Sequence, residues 1–108
     1  MQKKIQELCL KDKNDNACGK IKILKISDNL VEGQLIPTSH FKKYTSLFFE
    51  HEYAANYQLL IETDRLEIDI EALGFYVEAI YHLSTLKFRV VDLQIMSGGV
   101  TLKIEPKT

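Results

Sequence analysis

The sequence has no long apolar run, and this absence limits the kind of protein it can be. No stretch approaches the roughly 20 apolar residues that a membrane-spanning helix needs. Residues 1–15, MQKKIQELCLKDKND, contain lysines but no apolar segment after them, so they do not read as a secretory signal. We therefore expect a cytoplasmic protein without a membrane segment.

Cysteine is scarce, since the chain contains only Cys9 and Cys18. One disulfide is possible by count, but two reduced thiols are the expected state in a cytoplasmic protein. A zinc site would need two further ligands at suitable spacing, and the sequence offers none near these cysteines. We predict that the protein holds no metal.

Motifs for catalysis and cofactor binding are also missing. The chain contains no Gly-x-Ser-x-Gly nucleophile motif, no Gly-x-x-x-x-Gly-Lys-Ser/Thr phosphate loop and no Gly-x-Gly-x-x-Gly fingerprint. Glu50-His51-Glu52 resembles an acid–base cluster, but neighbouring side chains on a helix point about 100° apart and cannot converge. We interpret His40, His51 and His82 as surface or half-buried rings, and we predict neither an enzyme nor a cofactor.

The chain is nevertheless long and apolar enough to fold. With 108 residues and 45% apolar content it is predicted to be one domain, residues 1–108, with a core that needs no disulfide. Residues 1–19 are the least readable part. They fit a short helical segment, an edge strand or a mobile leader.

Two regions carry β patterns. In the first, Lys20 to Thr38 reads as a hairpin that turns at Ser27-Asp28-Asn29 and ends at Pro37. In the second, residues 75–81 form a strand, Ser84-Thr85 a turn, residues 86–96 one or two strands, and Ser97-Gly98-Gly99 leads into a last strand over 100–104. Between the two regions, Thr38-Ser39 is a predicted helix N-cap. Residues 40–48 then form a short helix or the start of a longer one.

The stretch from Phe48 to Gly74 is predicted to be one long helix, roughly 39 Å from end to end. Its core-facing stripe recurs at helical spacing. The stripe comprises Ala55, Leu59, Thr63, Leu66, Ile70 and Leu73. Leu66 to Ile70 also alternates as a strand would, but the helical spacing extends over more residues. Gly74 is the predicted left-handed cap. The predicted fold is α+β, a single antiparallel sheet of about four to six strands with this helix across one face, in the order β-hairpin, helix, β-strands.

The side of this helix opposite the core stripe is unusual. Tyr53, Tyr57, Ile61 and Ile68 collect there, beside Asp64, Glu67 and Glu71. Seven acids against one arginine give residues 50–73 a net charge of −6, although the whole chain carries only −1. One interpretation is a solvated helix face. The other is a docking surface for a basic protein. Its predicted partner-binding site is Tyr53, Tyr57, Ile61, Asp64, Glu67, Ile68 and Glu71.

In size, fold class and charge layout the chain resembles the small immunity proteins that bacteria make against contact-dependent-inhibition toxins. The resemblance implies a non-enzymatic inhibitor that neutralises a basic toxin domain, such as a nuclease, through the acidic helix. The alternative is a homo-oligomeric adapter or structural protein that uses the same helix face. Nucleic acid is not the expected partner, because the lysines at 20, 22, 25, 42 and 43 form only a weak basic patch.

Overall fold

The strands of the protein form a closed barrel. The computed structural model describes residues 6–81, 84–97 and 99–106. Within these residues lie six strands: β1 (Glu7–Lys11), β2 (Ala17–Ser27), β3 (Leu30–Pro37), β4 (Tyr76–Tyr81), β5 (Ser84–Met96) and β6 (Gly99–Pro106). Neighbours pair antiparallel in the order β1-β2-β3-β6-β5-β4, and β1 also pairs with β4. The predicted α+β class and single antiparallel sheet are confirmed, and the sheet closes into a barrel, which the prediction did not include.

Strand β1 closes the barrel, and it lies in the region that the sequence left as a possible leader. Leu8 and Leu10 are buried, and Leu10 lies opposite Gly19 of β2 and Val77 of β4. An ion pair of 2.5 Å between Lys11 and Glu78 crosses the same seam. The element order therefore differs from the predicted one, because a strand precedes the hairpin and supplies the second partner of β4.

Both predicted hairpins are present. Ser27 pairs with Leu30 across the first turn, where Asp28 adopts a φ of 55°. Met96 pairs with Gly99 across the second, where Ser97 adopts a φ of 49° and Gly98 lies outside the described residues. Short loops that reach positive φ suit the twist of antiparallel strands.

The predicted turn at Ser84-Thr85 is wrong. Both residues belong to the ladder, where Ser84 pairs with Tyr81 and Thr85 with Ile80, and residues 82–83 lie outside the described residues. Residues 84–96 are one strand, interrupted by an irregularity between Val91 and Gln94. Serine favours turns whereas threonine favours strands, so the pair was an ambiguous signal for a turn.

The barrel interior is filled by one side of each strand. Its buried residues are Leu8, Leu10, Cys18, Ile21, Val31, Val77, Ala79, Val90, Leu93, Ile95, Val100 and Leu102. The hairpin strands approach so closely at Gly33 that a Cβ there would lie 2.4 Å from the carbonyl oxygen of Lys22. Phe41, Phe48 and Phe75 join the core from the helical segment and the start of β4, with ring centroids 5.6–5.9 Å apart where they touch.

The predicted single helix is wrong. The segment contains a 3₁₀ helix, Ser39–Tyr44, followed by helices α1, Thr45–Asn56, and α2, Leu60–Ala72. Gln58 breaks the run with a φ of 56°. The amide N–H of Leu59 donates to the Ala54 carbonyl at 2.9 Å, and that of Gln58 donates to Ala55 at 3.2 Å. These two hydrogen bonds form a Schellman cap. The residue with positive φ in such a cap is usually glycine, so a glutamine at this position gave no sign in the sequence that the helix ends.

Two predicted caps are confirmed. Thr38 is the N-cap of the 3₁₀ helix, and its side-chain oxygen accepts a hydrogen bond from the amide of His40 at 3.2 Å. Gly74 adopts a φ of 68° immediately after α2, and its N–H donates to the Glu71 carbonyl at 3.2 Å. The predicted core stripe holds only for α2, in which Leu66 and Ile70 are buried, while Leu59 is 43% exposed.

A buried carboxylate connects the loop after β1 to the 3₁₀ helix. Asp12 is fully buried and accepts hydrogen bonds from the Tyr44 hydroxyl at 2.8 Å and from the amides of Asn14 and Asn16 at 2.9 and 3.0 Å. Lys43 lies 3.6 Å away. Burial opposes the charged form of Asp12, but the hydrogen bonds outweigh it and lower the pKa to about 2.

We predict that replacing Gln58 with glycine stabilises the protein by about 0.5–1 kcal/mol, because glycine adopts positive φ without a Cβ clash. Gln58→Ala is the matched control and should change little. Urea denaturation of both variants measures the effect. If the two helices were continuous, glycine would instead destabilise by about 1 kcal/mol relative to alanine, which reverses the sign.

We predict that Asp12 makes stability fall in acid. The folded-state pKa of this carboxyl lies below its unfolded value, so its contribution is complete above about pH 4 and is lost as the pH falls towards 2. Asp12→Asn lacks this term. The free energy of unfolding of the wild type should therefore exceed that of the variant at pH 6. This difference should be roughly 2 kcal/mol larger at pH 6 than in strong acid. Urea denaturation at several pH values tests this, and a gap independent of pH would contradict it.

Candidate protein-binding site on the helical arm

Helices α1 and α2 form what we call the helical arm, residues 45–72. The two helices pack against each other, and both contact β5. α1 buries Phe48, His51 and Ala54, whose spacing of three residues places them along one face. α2 buries only Leu66 and Ile70. Because each helix turns one narrow side inward, most of the arm's surface faces solvent.

The outward surface of the arm is rich in large apolar side chains. Tyr57 is 65% exposed, Ile61 83% and Ile68 70%. The other exposed members are Phe49, Tyr53, Leu59 and Leu60. Monomeric proteins rarely leave so many neighbouring apolar side chains uncovered, and such surfaces commonly mark sites of protein–protein contact.

One side of the arm forms what we call the apolar groove. It lies between the two helices and is lined by Phe49, Glu50, Tyr53, Ala54, Leu59, Glu62 and Leu66. Tyr57 extends this surface, because its ring contacts that of Tyr53 with centroids 4.6 Å apart. Phe49 and Leu59 were not among the predicted site residues. Phe49 was missed because it directly follows Phe48, which is part of the core, and Leu59 was missed because it belongs to the predicted core stripe.

Another side of the arm forms what we call the acidic groove. It lies between α2 and β5 and is lined by Asp64, Glu67, Ile68, Glu71, Ala72 and Asp92. Three of its carboxylates, Glu67, Glu71 and Asp92, also line a narrower cleft that reaches Ile70 and other core residues. Asp92 was not predicted as a site residue, because its approach to α2 depends on how β5 packs against the arm.

The predicted site residues are therefore divided between two surfaces. Tyr53 and Tyr57 belong to the apolar groove and its edge, whereas Asp64, Glu67, Ile68 and Glu71 line the acidic groove. Ile61 is exposed on α2 outside the residues that line either groove. The predicted placement on one face of one helix is wrong, because the turn at residues 57–59 changes the angular relation between residues before and after it.

Charge at the acidic groove is only partly neutralised. Arg65 pairs with Glu62 at 2.6 Å and with Asp69 at 3.8 Å, on another side of α2. Lys103 lies 3.4 Å from Asp92. Among the residues that the structure describes, Asp64 and Glu71 make no ion pair. The groove thus keeps negative charge beside the exposed Ile68 side chain.

His51 is fully buried between the helices, so the prediction of a surface or half-buried ring is wrong for this residue. Its Nε2 lies 3.2 Å from Oε2 of Glu67, which joins α1 to a carboxylate of the acidic groove. Its Nδ1 has no hydrogen-bond partner within the described residues. His40 is exposed, and His82 lies outside the described residues. His51 is buried because it lies one helical turn from both Phe48 and Ala54.

A metal-binding cluster and a membrane-spanning helix are absent from the part of the chain that the structure describes. No three His, Cys, Asp or Glu side chains there group closely enough to hold a metal ion. No described helix has both the length and the apolar character needed to cross a lipid bilayer. Neither a protein-family model, nor a curated protein, nor a solved structure matches the chain.

We predict that His51→Ala destabilises the protein by about 2–4 kcal/mol, because it leaves a cavity between the helices and removes the contact to Glu67. His40→Ala is the matched control, since that side chain is exposed, and should stay within about 0.5 kcal/mol of the wild type. Urea denaturation monitored by circular dichroism measures both. Equal stability of the two variants would contradict the buried position of His51.

Proposed function

We propose that the protein is a non-enzymatic binding module whose helical arm docks onto a basic protein. One observation carries the proposal: exposed apolar side chains lie on the same short helix as carboxylates that make no ion pair among the described residues. Ile68 stands between Asp64 and Glu71 on the wall of the acidic groove, and Ile61 lies one turn before Asp64. Acidic residues are expected on a helix face that contacts only solvent, whereas exposed isoleucines are not.

The two kinds of side chain have different roles in such a complex. Full burial of an isoleucine or a tyrosine against a partner is worth about 1.5–3 kcal/mol, so the apolar residues supply affinity. The carboxylates attract a positively charged partner over distance and disfavour an acidic one, so they supply association rate and specificity. The partner surface should therefore combine apolar residues with lysine or arginine.

The proposed biological role is that of an immunity protein, which neutralises a basic toxin domain inside a bacterial cell. A nuclease toxin must carry positive charge where it contacts phosphate. An acidic arm with aromatic anchors could cover such a surface and block access of nucleic acid. The charge layout and the exposed arm support this role. The test is co-expression with the C-terminal domain of a secreted protein encoded beside this chain's gene, with growth rescue as the readout.

We predict that Tyr57→Ala weakens binding to that toxin domain by roughly 2 kcal/mol, about 30-fold in Kd, because an aromatic anchor is lost. Isothermal titration calorimetry measures the change. Tyr57 is largely exposed and makes its ring contact with Tyr53, so the variant should fold normally.

The matched control is Ile36→Ala, which removes an exposed apolar side chain from β3 on the barrel. Binding to the toxin domain should be unchanged in this variant. If Tyr57→Ala binds as tightly as the wild type, the anchor assignment fails. If the neighbouring toxin domain is not bound at all, the immunity role fails.

A homo-oligomer that uses the same arm is the alternative, favoured by the number of exposed apolar residues there. The charge on the arm opposes it, because two copies would bring together carboxylates such as Asp64 and Glu71, which find no cation within the described part of the chain. Sedimentation velocity at low and high salt separates the two. A dimer that persists at both salt concentrations would favour self-association, whereas a monomer at both would favour a separate basic partner.

A further inference from the structure

We infer that the apolar groove between α1 and α2 binds a cationic amphipathic helix of the partner. The apolar stripe of that helix enters the groove, and its lysine or arginine residues lie beside the groove. The inference rests on the proposed function and specifies what part of the basic partner is recognised. It adds a second contact surface to the acidic groove, built from residues that the sequence pattern did not group.

The groove has the form of a helix-binding site. Ala54 and Leu66 are each only 3% exposed and form its floor, and the small side chain of Ala54 keeps that floor low. Phe49, Tyr53 and Leu59 rise as exposed apolar walls. A partner helix that lays apolar residues at spacings of three and four into such a groove would cover them.

The extent of the groove limits its contact with the occupant. Its lining runs from Phe49 to Ala54 on α1 and from Glu62 to Leu66 on α2, which corresponds to about 6–8 Å along each helix at 1.5 Å per residue. A partner helix would therefore contact the groove over about one and a half turns. That length places about two apolar anchors of one stripe in the groove.

The turn between the helices keeps the groove open. The Schellman cap at Gln58 brings the chain round so that Leu59 lies on the groove wall near Ala54, whose carbonyl accepts its N–H at 2.9 Å. In an uninterrupted helix the residues of α1 and α2 would lie end to end, and no groove would form between them. The cap at Gln58, which makes the single-helix prediction wrong, is therefore also what creates the apolar groove.

The sign of the charge decides between occupants. Glu50 on α1 and Glu62 on α2 provide carboxylates on both helices that flank the groove. Glu62 pairs with Arg65, and Glu50, which makes no ion pair among the described residues, interacts with Arg65 only at longer range, so the two carboxylates together still outweigh the one guanidinium. An acidic rim repels nucleic acid, and it disfavours a second copy, which would bring its own Glu50 and Glu62. A segment rich in lysine or arginine fits both the floor and the rim.

A synthetic probe tests the inference. We use a fluorescein-labelled peptide of 14 residues that contains only leucine and lysine, with leucines at helical spacing, and measure anisotropy against the full chain. Binding should weaken at least tenfold between low and high salt. A peptide of the same composition with scrambled spacing and a leucine/glutamate version should each bind at least tenfold more weakly. Equal binding of the scrambled peptide would overturn the inference.

Variants locate the contact. Phe49→Ala and Glu50→Lys should each weaken binding of the leucine/lysine peptide about tenfold or more, whereas Ile36→Ala on the barrel should leave it unchanged. Insensitivity to Phe49→Ala and Glu50→Lys would overturn the inference. So would a dimer that Phe49→Ala converts to a monomer, because the occupant would then be a second copy.

The proposed function and this inference can fail separately. If a basic toxin domain binds the wild type, loses affinity with Ile68→Asp and is unaffected by Phe49→Ala, the docking function stands and the groove assignment falls. If the peptide binds in the groove but no toxin domain is neutralised, the groove assignment stands and the immunity role falls.

Discussion

The pairing of β1 with β4 is the constraint on which the rest of the structure depends. It consists of three residue pairs, Cys9 with Glu78, Leu10 with Val77 and Lys11 with Tyr76. Because these pairs close the sheet, each of the six strands has a neighbour on both sides within the described residues. An open sheet would need the helices to cover one whole face, whereas a closed barrel buries much of its core by itself. The outer sides of the helices are thereby left available for another purpose.

The exposed outer surface of the helical arm is a consequence of the closed barrel. Phe48, Ala54, Leu66 and Ile70 anchor the two short helices on the barrel and on each other, with Leu47 partly buried against the core, and most of the other large apolar residues of the arm are exposed. Side by side, the helices create a groove between them and another beside β5. Partly buried polar contacts stabilise this arrangement: His51 with Glu67 joins the two helices, and Asp12 with Tyr44 holds the 3₁₀ helix that leads into the arm. Both grooves carry acids, which is why a basic partner suits the arm as a whole.

Much of the β structure could be predicted from local signals. Alternation identified β2 and β3, and Ser97 with the glycines that follow it identified the last hairpin. β1 was harder, because Leu8 and Leu10 are too few to distinguish a strand from a helical turn. Its structure is set by two partners, β2 and β4, that lie far apart in sequence. Charge and apolar content singled out the arm, but they could not divide its residues between two grooves.

The amino-acid sequence alone determined the class, the hairpins, the cap at Gly74 and the concentration of acids and apolar residues between 50 and 73, because each depends on local conformation or composition. Only the tertiary structure decided the closure of the barrel, the burial of His51, the approach of Asp92 to α2 and the break at Gln58. Glutamine has no preference for positive φ, so the break is stable only where packing of both helices on the barrel offsets its local cost. Contacts between distant residues are made by the whole fold, and no short stretch of sequence contains them.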